Sequence, residues 1–203
     1  MTRAPYQLLN SNPAARPLYQ LAMIASTLSC SWLAMQVVHE FGHVLHAWSS
    51  GGTVALVVLL PLEISRTDIS INPHPQFVAW GGPIWGSLIP LGIWVVGRQM
   101  KWPRLWLATF FAGFCLIANG AYLLAGSVFP VGDAEVLLRE GAPRAALAGF
   151  GASALTGGLW FWNGIGAFFG LGRQAAAIDR QAVWYATGAT TLLVAVEWLV
   201  ASR

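Results

Sequence analysis

His39 and His43 lie four residues apart, and Glu40 directly follows the first of them. On an α-helix this spacing stacks two imidazoles one turn apart on one face, where both can reach a single metal ion. Zinc is the metal such a pair fits, and His-Glu-x-x-His on a helix carries a hydrolytic chemistry. Zinc lowers the pKa of a bound water towards ~7, and Glu40 is then placed to act as general base for attack on an amide carbonyl. The plainer reading is that these groups only hydrogen-bond at a helix end in a membrane interface. The chain holds four histidines in all, too few for the two-iron chemistry of a lipid desaturase or hydroxylase.

The elements that must position this segment are membrane elements. Hydrophobic residues make up 56% of the 203 and charged residues 9%, far below a soluble chain. Eleven Trp among so few charges fit a protein with two membrane–water interfaces. Ionisable groups inside an apolar helix are costly and usually functional, which strengthens the reading of His39-Glu40-x-x-His43. The net charge of +3 is scattered, with no basic cluster of the kind that binds nucleic acid. Cys30 and Cys115 sit in apolar runs and read as packed thiols.

The expected fold is an all-α membrane protein of about five transmembrane helices, with a small β-hairpin between the first and second. A polar tail covers 1–17. Leu18 to Val38 is long enough to span, and its helical pattern continues to about Trp48. A cleaved signal peptide is disfavoured, because cleavage would discard the helix that leads into His39. Thr53 to Leu60 and Glu63 to Asn72 are too short to span and read as the hairpin, about 53–72. Further spans are expected over Phe77 to Gly97, Pro103 to Phe129, Arg144 to Leu171 and Ala182 to Val200. In the second, Gly82 and Gly86 at small-xxx-small spacing predict a close helix contact. Residues 18–140 form the expected catalytic core, and 141–203 add two more helices. Seven Lys and Arg fall on the N-terminal side of this layout against four on the other, which predicts a cytoplasmic N-terminus. The expected location is a bacterial cytoplasmic membrane.

Two histidines need a third ligand. Glu63, Asp68, His74, Asp133, Glu135, Glu140, Asp179 and Glu197 are the available groups. His39 and His43 lie near the exit end of the first helix, and the loop after the third returns to that side carrying Asp133. Asp133 is therefore preferred, with Glu135 the nearest rival.

His39-Glu40-Phe41-Gly42-His43, with Gly51-Gly52 shortly after, resembles the site-2 protease family of intramembrane metalloproteases. Gly81-Gly82-Pro83-Ile84 looks like that family's Ala-Gly-Pro motif at the start of the second core helix. Pro130-Val131-Gly132-Asp133 resembles its Pro-x-x-Asp, whose Asp is the third zinc ligand. The likeness covers roughly residues 30 to 140. It departs at Ala134, where Gly is usual, and at Ala125, where Asn is usual, with Asn119 further back. The resemblance implies a zinc endopeptidase with ligands His39, His43 and Asp133 and base Glu40. It also implies a membrane-spanning or membrane-associated protein as substrate, with Asn119, Gly82 and Pro83 as candidates for binding it. It further implies a metal site facing the cytoplasm, opposite to the side given by the charge count.

The hairpin would then offer an open strand edge to an unwound substrate, or else be a re-entrant hairpin without a substrate role. Asn119, in mid-span, either bonds another helix or orients a substrate or a zinc ligand. His46, one turn beyond His43, reads as an interfacial histidine or a support for the metal site. The alternative function is a non-proteolytic zinc-binding membrane protein, with the metal kept for structure or for a partner.

Overall fold

The computed structural model describes residues 16–62 and 64–201. Of the polar tail expected over 1–17, only Arg16 and Pro17 fall within it, and Glu63 lies outside the described residues. The described chain is mostly helical, with six α-helices and one hairpin.

Helix α1 runs from Arg16 to Ser49, an unbroken 34 residues that carry the histidine pair in their last third. It stops where the sequence supplies two glycines. Gly51 takes a left-handed φ of +78°, and the Gly52 N–H returns to the Ala47 carbonyl at 2.7 Å. Strands β1 (Thr53–Val58) and β2 (Arg66–Ile71) follow as an antiparallel pair, with Thr53 opposite Ile71 and Val58 opposite Arg66. Along the second strand Thr67 and Ile69 are half-buried, while Arg66, Asp68 and Ser70 are exposed. Period-two alternation therefore presents one face of β2 to α1.

Helices α2 (Pro75–Gln99) and α3 (Leu105–Gly126) form the next two spans. Helix α4 (Gly132–Arg139) is a short amphipathic turn that follows α3, and α5 (Arg144–Trp162) then runs back along it. A 3-10 helix over Ile165–Phe169 leads to α6 (Arg180–Ala201), which packs on α1. Helices α1, α2, α3 and α6 are long and apolar enough to cross a membrane, as in a multi-pass membrane protein.

Two expectations need correction. The segment read as a span over 144–171 is helical only to Trp162. Asn163 is extended and Gly164 and Gly170 are left-handed, so the apolar run continues but the α-helix does not. The charged stretch after Asp133, read as a connector, contains α4. Its eight residues are too few for a clear helical period in the sequence, and its buried face is only Ala134 and Leu137.

The helices meet through small residues, as expected where lipid removes any hydrophobic drive between them. Helices α3 and α5 touch backbone to backbone. A Cβ on Gly120 would lie 2.6 Å from the Leu155 nitrogen, and one on Gly158 would lie 2.7 Å from the Gly113 carbonyl oxygen. Trp162 closes that contact by donating its Nε1–H to the Phe110 carbonyl at 3.1 Å. At the opposite end from the histidines, Met23, Trp106, Phe110, Ile165, Phe169 and Val183 form one apolar cluster joining α1, α3, the 3-10 helix and α6.

Gly158→Val should therefore wedge α3 from α5 and destabilise the protein by about 1–3 kcal/mol, the range for overpacking a tight contact. Gly157→Ala is the control, since its Cβ would meet only the Leu116 side chain at 3.9 Å. Thermal unfolding in detergent reads the difference, and equal midpoints for the two variants would refute the close-contact account.

Candidate metal centre

The centre begins with the distance at which α1 and α2 can pack. At Gly42 and Gly81 the two backbones are so close that a Cβ on either would collide with the other's carbonyl. One residue on, a Cβ on Gly82 would strike the Nε2 atoms of both His39 and His43, and one on Gly86 would lie 2.9 Å from the Asn119 amide nitrogen. The small-xxx-small pair of α2 thus makes room for two imidazoles and the amide beside them, rather than for bare backbone alone.

Each ring is then fixed by its other nitrogen. The Asn119 Nδ2 donates to the Cys115 carbonyl at 2.9 Å, which turns Oδ1 towards His39. His39 Nδ1–H donates to that Oδ1 at 2.8 Å. His43 Nδ1–H donates to the Val78 carbonyl at 2.9 Å. Both protons of the neutral rings are committed to Nδ1, so both Nε2 atoms are bare lone pairs.

Those lone pairs face Asp133. Its Oδ2 lies 3.0 Å from His39 Nε2, and its Oδ1 lies 3.3 Å from His43 Nε2. Three features bring the carboxylate there. Ala134 and Leu137 bury α4 in a cluster with Ala79, Leu123 and Leu147. Gly132 turns the chain with φ +54°, where a Cβ would strike the Tyr122 hydroxyl. The Asp133 N–H donates to that hydroxyl at 2.7 Å. Burial alone would raise the Asp133 carboxyl. Protons on the facing Nε2 atoms, or a cation in their place, would outweigh that and hold it well below the usual carboxylate range.

His39, His43 and Asp133 form a group able to hold a metal ion. The donor set fits one on chemical grounds. Two bare imidazole nitrogens and an anionic oxygen repel one another unless a cation lies among them. Two protons could serve only by making two adjacent imidazoliums in a largely buried site, which is expensive. One divalent cation satisfies all three, and tetrahedral ligands at about 2.0–2.1 Å stand roughly 3.3 Å apart, close to the spacings found here.

Glu40 is 3% exposed and held from the hairpin. Ser65 Oγ–H donates to its Oε1 and Thr67 Oγ1–H to its Oε2, both at 2.7 Å. One turn earlier on α1, the Gln36 Oε1 accepts the Ser65 N–H at 2.9 Å. The hairpin is therefore docked on the helix face that carries Glu40.

The other expected groups fall elsewhere. Glu135 is exposed on α4 and does not join the metal group, because two residues along a helix turn a side chain about 200° away from Asp133. Asp179 pairs with Arg104 at 2.8 Å, and Asp68 with Arg66 at 3.4 Å. Glu197 has both oxygens buried with no hydrogen-bond partner among the described residues, and it stands outside the group. His46 donates to the Phe77 carbonyl at 2.7 Å and accepts from Trp85 Nε1 at 3.0 Å, so both ring nitrogens are spent holding α1 to α2. Gly82 and Pro83 are buried in the helix contact. Asn119, a candidate for substrate binding, has its amide committed to His39 and Cys115. Tyr122, Ser65, Thr67 and Gln36 are site residues that the sequence reading missed.

No family model, curated protein or solved structure matches this chain.

Gly82→Ala should abolish tight metal binding without touching a ligand, since the added methyl takes the space of both Nε2 atoms. Asn119→Ala should weaken it by about 10–100-fold, the usual effect of removing the group that orients a ligating histidine. Competition for zinc with a chromogenic chelator measures both. Wild-type affinity in Gly82→Ala would show that the metal does not sit between these rings.

Proposed function

We propose that the chain is a zinc endopeptidase of the site-2 protease type, hydrolysing peptide bonds of membrane-spanning or membrane-associated proteins. The observation that carries this reading is the convergence of His39 Nε2, His43 Nε2 and Asp133 next to a buried carboxylate, Glu40, on the same helix. Ionisable groups inside an apolar helix are costly and usually functional.

His39, His43 and Asp133 hold the zinc in this scheme. When bound, zinc supplies the Lewis acidity that makes a nucleophilic hydroxide available near neutral pH. The chain's own residues do the rest. Glu40 takes the proton given up by the attacking water and passes it to the leaving amine. Ser65 and Thr67 fix the rotation of the Glu40 carboxylate while using one acceptor site on each oxygen. Each oxygen keeps a second lone pair for water. Asn119 and the Val78 carbonyl keep Nε2 of each ring free of hydrogen.

The membrane setting is part of the reading. We take α5 as a fifth crossing, because it lies antiparallel along α3 from the level of Leu124, beside Gly151, to that of Phe110, beside Trp162. Its 19 residues reach about 28 Å, near the thickness of a bilayer core. The connection between β1 and β2 enters the same layer. Pro61, Leu62 and Ile64 line a groove with Leu28 and Trp32 of α1, and Leu28 lies roughly 18 Å along the helix from Glu40. That depth supports a re-entrant hairpin.

A metal centre without proteolysis is the competing reading, and the hydroxyls closed over Glu40 are the observation in its favour. Glu40→Gln separates the two. It should keep one zinc per chain by elemental analysis and lose about 10²–10⁴-fold in cleavage of a fluorogenic single-span peptide in proteoliposomes. Undiminished cleavage in Glu40→Gln would remove the proposed base, and no cleavage by the wild type with zinc bound would favour the competing reading.

A further inference from the structure

Gln36 lies one turn before Glu40 on the same face of α1, and it is 4% exposed. Its Oε1 accepts the Ser65 N–H, but its Nε2 is buried with no hydrogen-bond partner among the described residues. An amide donor left unmet in an apolar surrounding is costly and calls for an acceptor. A groove of about 700 Å³ lies close by, walled by Trp32 and Leu33 of α1, Phe114 of α3, Val194 of α6 and Ile64 of the hairpin connection. Leu33 is one turn below Gln36 on the helix, and Ile64 adjoins Ser65. The near end of the groove thus lies within about one helical turn of Gln36, which is not itself part of the lining.

We infer that Gln36 is a main-chain-binding residue that donates its Nε2–H to a carbonyl of an extended peptide seated at the head of this groove. The inference rests on the peptidase reading of Glu40 and the metal group. Peptide recognition follows from what the carboxamide already does. It holds a backbone N–H of the hairpin, and the half it leaves free is a donor, the complement of a backbone carbonyl. The amide is also neutral, so it meets that carbonyl in an apolar layer without the desolvation penalty of Lys or Arg. Spacing agrees as well. Gln36 and Glu40 are one helical turn apart, about 5.4 Å, and an extended chain advances about 3.3 Å per residue. A carbonyl held at Gln36 therefore sets a peptide bond one or two residues away beside Glu40. The contact is indifferent to side chains, so sequence preference is left to the groove.

The test compares two hydroxamates on the zinc-loaded full chain in detergent. Acetohydroxamate reports the metal alone, and a Leu-Ala-Gly peptide hydroxamate adds a backbone. The wild type should bind the peptide form more tightly. Gln36→Met, close to isosteric, should shrink that preference about tenfold while leaving acetohydroxamate affinity and zinc content unchanged. With the single-span peptide its KM should rise by a larger factor than kcat falls, since losing the acceptor for the Ser65 N–H also loosens the hairpin that holds Glu40. If Gln36→Met does not fold, Gln36→Glu keeps an acceptor for the Ser65 N–H, removes the amide donor, and is read the same way. An unchanged preference in the variant overturns the inference while the peptidase reading stands. Loss of zinc and of both probes together also overturns it, by making Gln36 structural. A wild type that binds both hydroxamates equally and leaves the peptide uncut overturns the peptidase reading and this inference with it.

Discussion

Two imidazoles with their Nδ1 protons committed elsewhere turn bare Nε2 lone pairs towards a carboxylate about 3 Å away. Like-signed electron density gathered at one largely buried point is unfavourable unless a cation occupies it. Most of the surrounding structure can be read as the means of holding that arrangement against its own repulsion. The rings are braced by an amide and a carbonyl, and the carboxylate by the Tyr122 hydroxyl and a left-handed glycine. None of these braces is charged. That matters within a membrane, because a charged brace would need its own partner.

The same requirement explains why α1 and α2 lie so close. The rings project from α1 towards α2, so α2 can lie against them only where it carries no side chain. Gly42 and Gly81 bring the backbones together, while Gly82 and Gly86 yield their side-chain volume to the rings and to Asn119. His46 then ties the exit end of α1 to the first half of α2 through Phe77 and Trp85, an uncharged clamp one turn beyond the site. Packing and chemistry are therefore not separate requirements in this region. Widening the helix contact would also draw the ring-bracing carbonyl of Val78 away from His43.

The parts legible in the sequence are those whose signal lies within one element. His39, Glu40 and His43 share a helix and declare themselves by spacing, and Gly82 and Gly86 do the same by period. Asp133 could be preferred because topology returns it to the correct side. The hairpin could be told from a span by its length. What stayed hidden depends on contacts between elements. Asn119 stands out as a single polar residue in an apolar run, with a zinc ligand among its expected partners, but only the turn of α3 towards His39 decides among them. Tyr122 reads as an ordinary interfacial aromatic until Gly132 brings the Asp133 N–H to its hydroxyl. Ser65 and Thr67 carry no motif, and they matter because β2 alternates towards α1. Helix α4 has one buried turn, too little pattern to see. Helix α5 was overextended because apolar composition continues past Trp162 while the left-handed Gly164 ends the helix.

The docking of the hairpin links the fold to the chemistry more tightly than the metal ligands do. Glu40 is buried within an apolar helix, and its two described hydrogen-bond donors are hydroxyls from one element, the two-stranded ribbon and the residue leading into its second strand. Such a ribbon is marginal alone and depends on what it packs against. Here it packs on Gln36 and Glu40, so carboxylate and ribbon stabilise each other. Whatever moves the ribbon changes the solvation and rotation of the Glu40 side chain at once. A peptide entering along the groove would press on Ile64 before it reached Glu40, because Ile64 forms part of the groove wall. Access to the groove and the poise of the carboxylate are thus one structural variable, set by how Ser65 and Thr67 sit on α1.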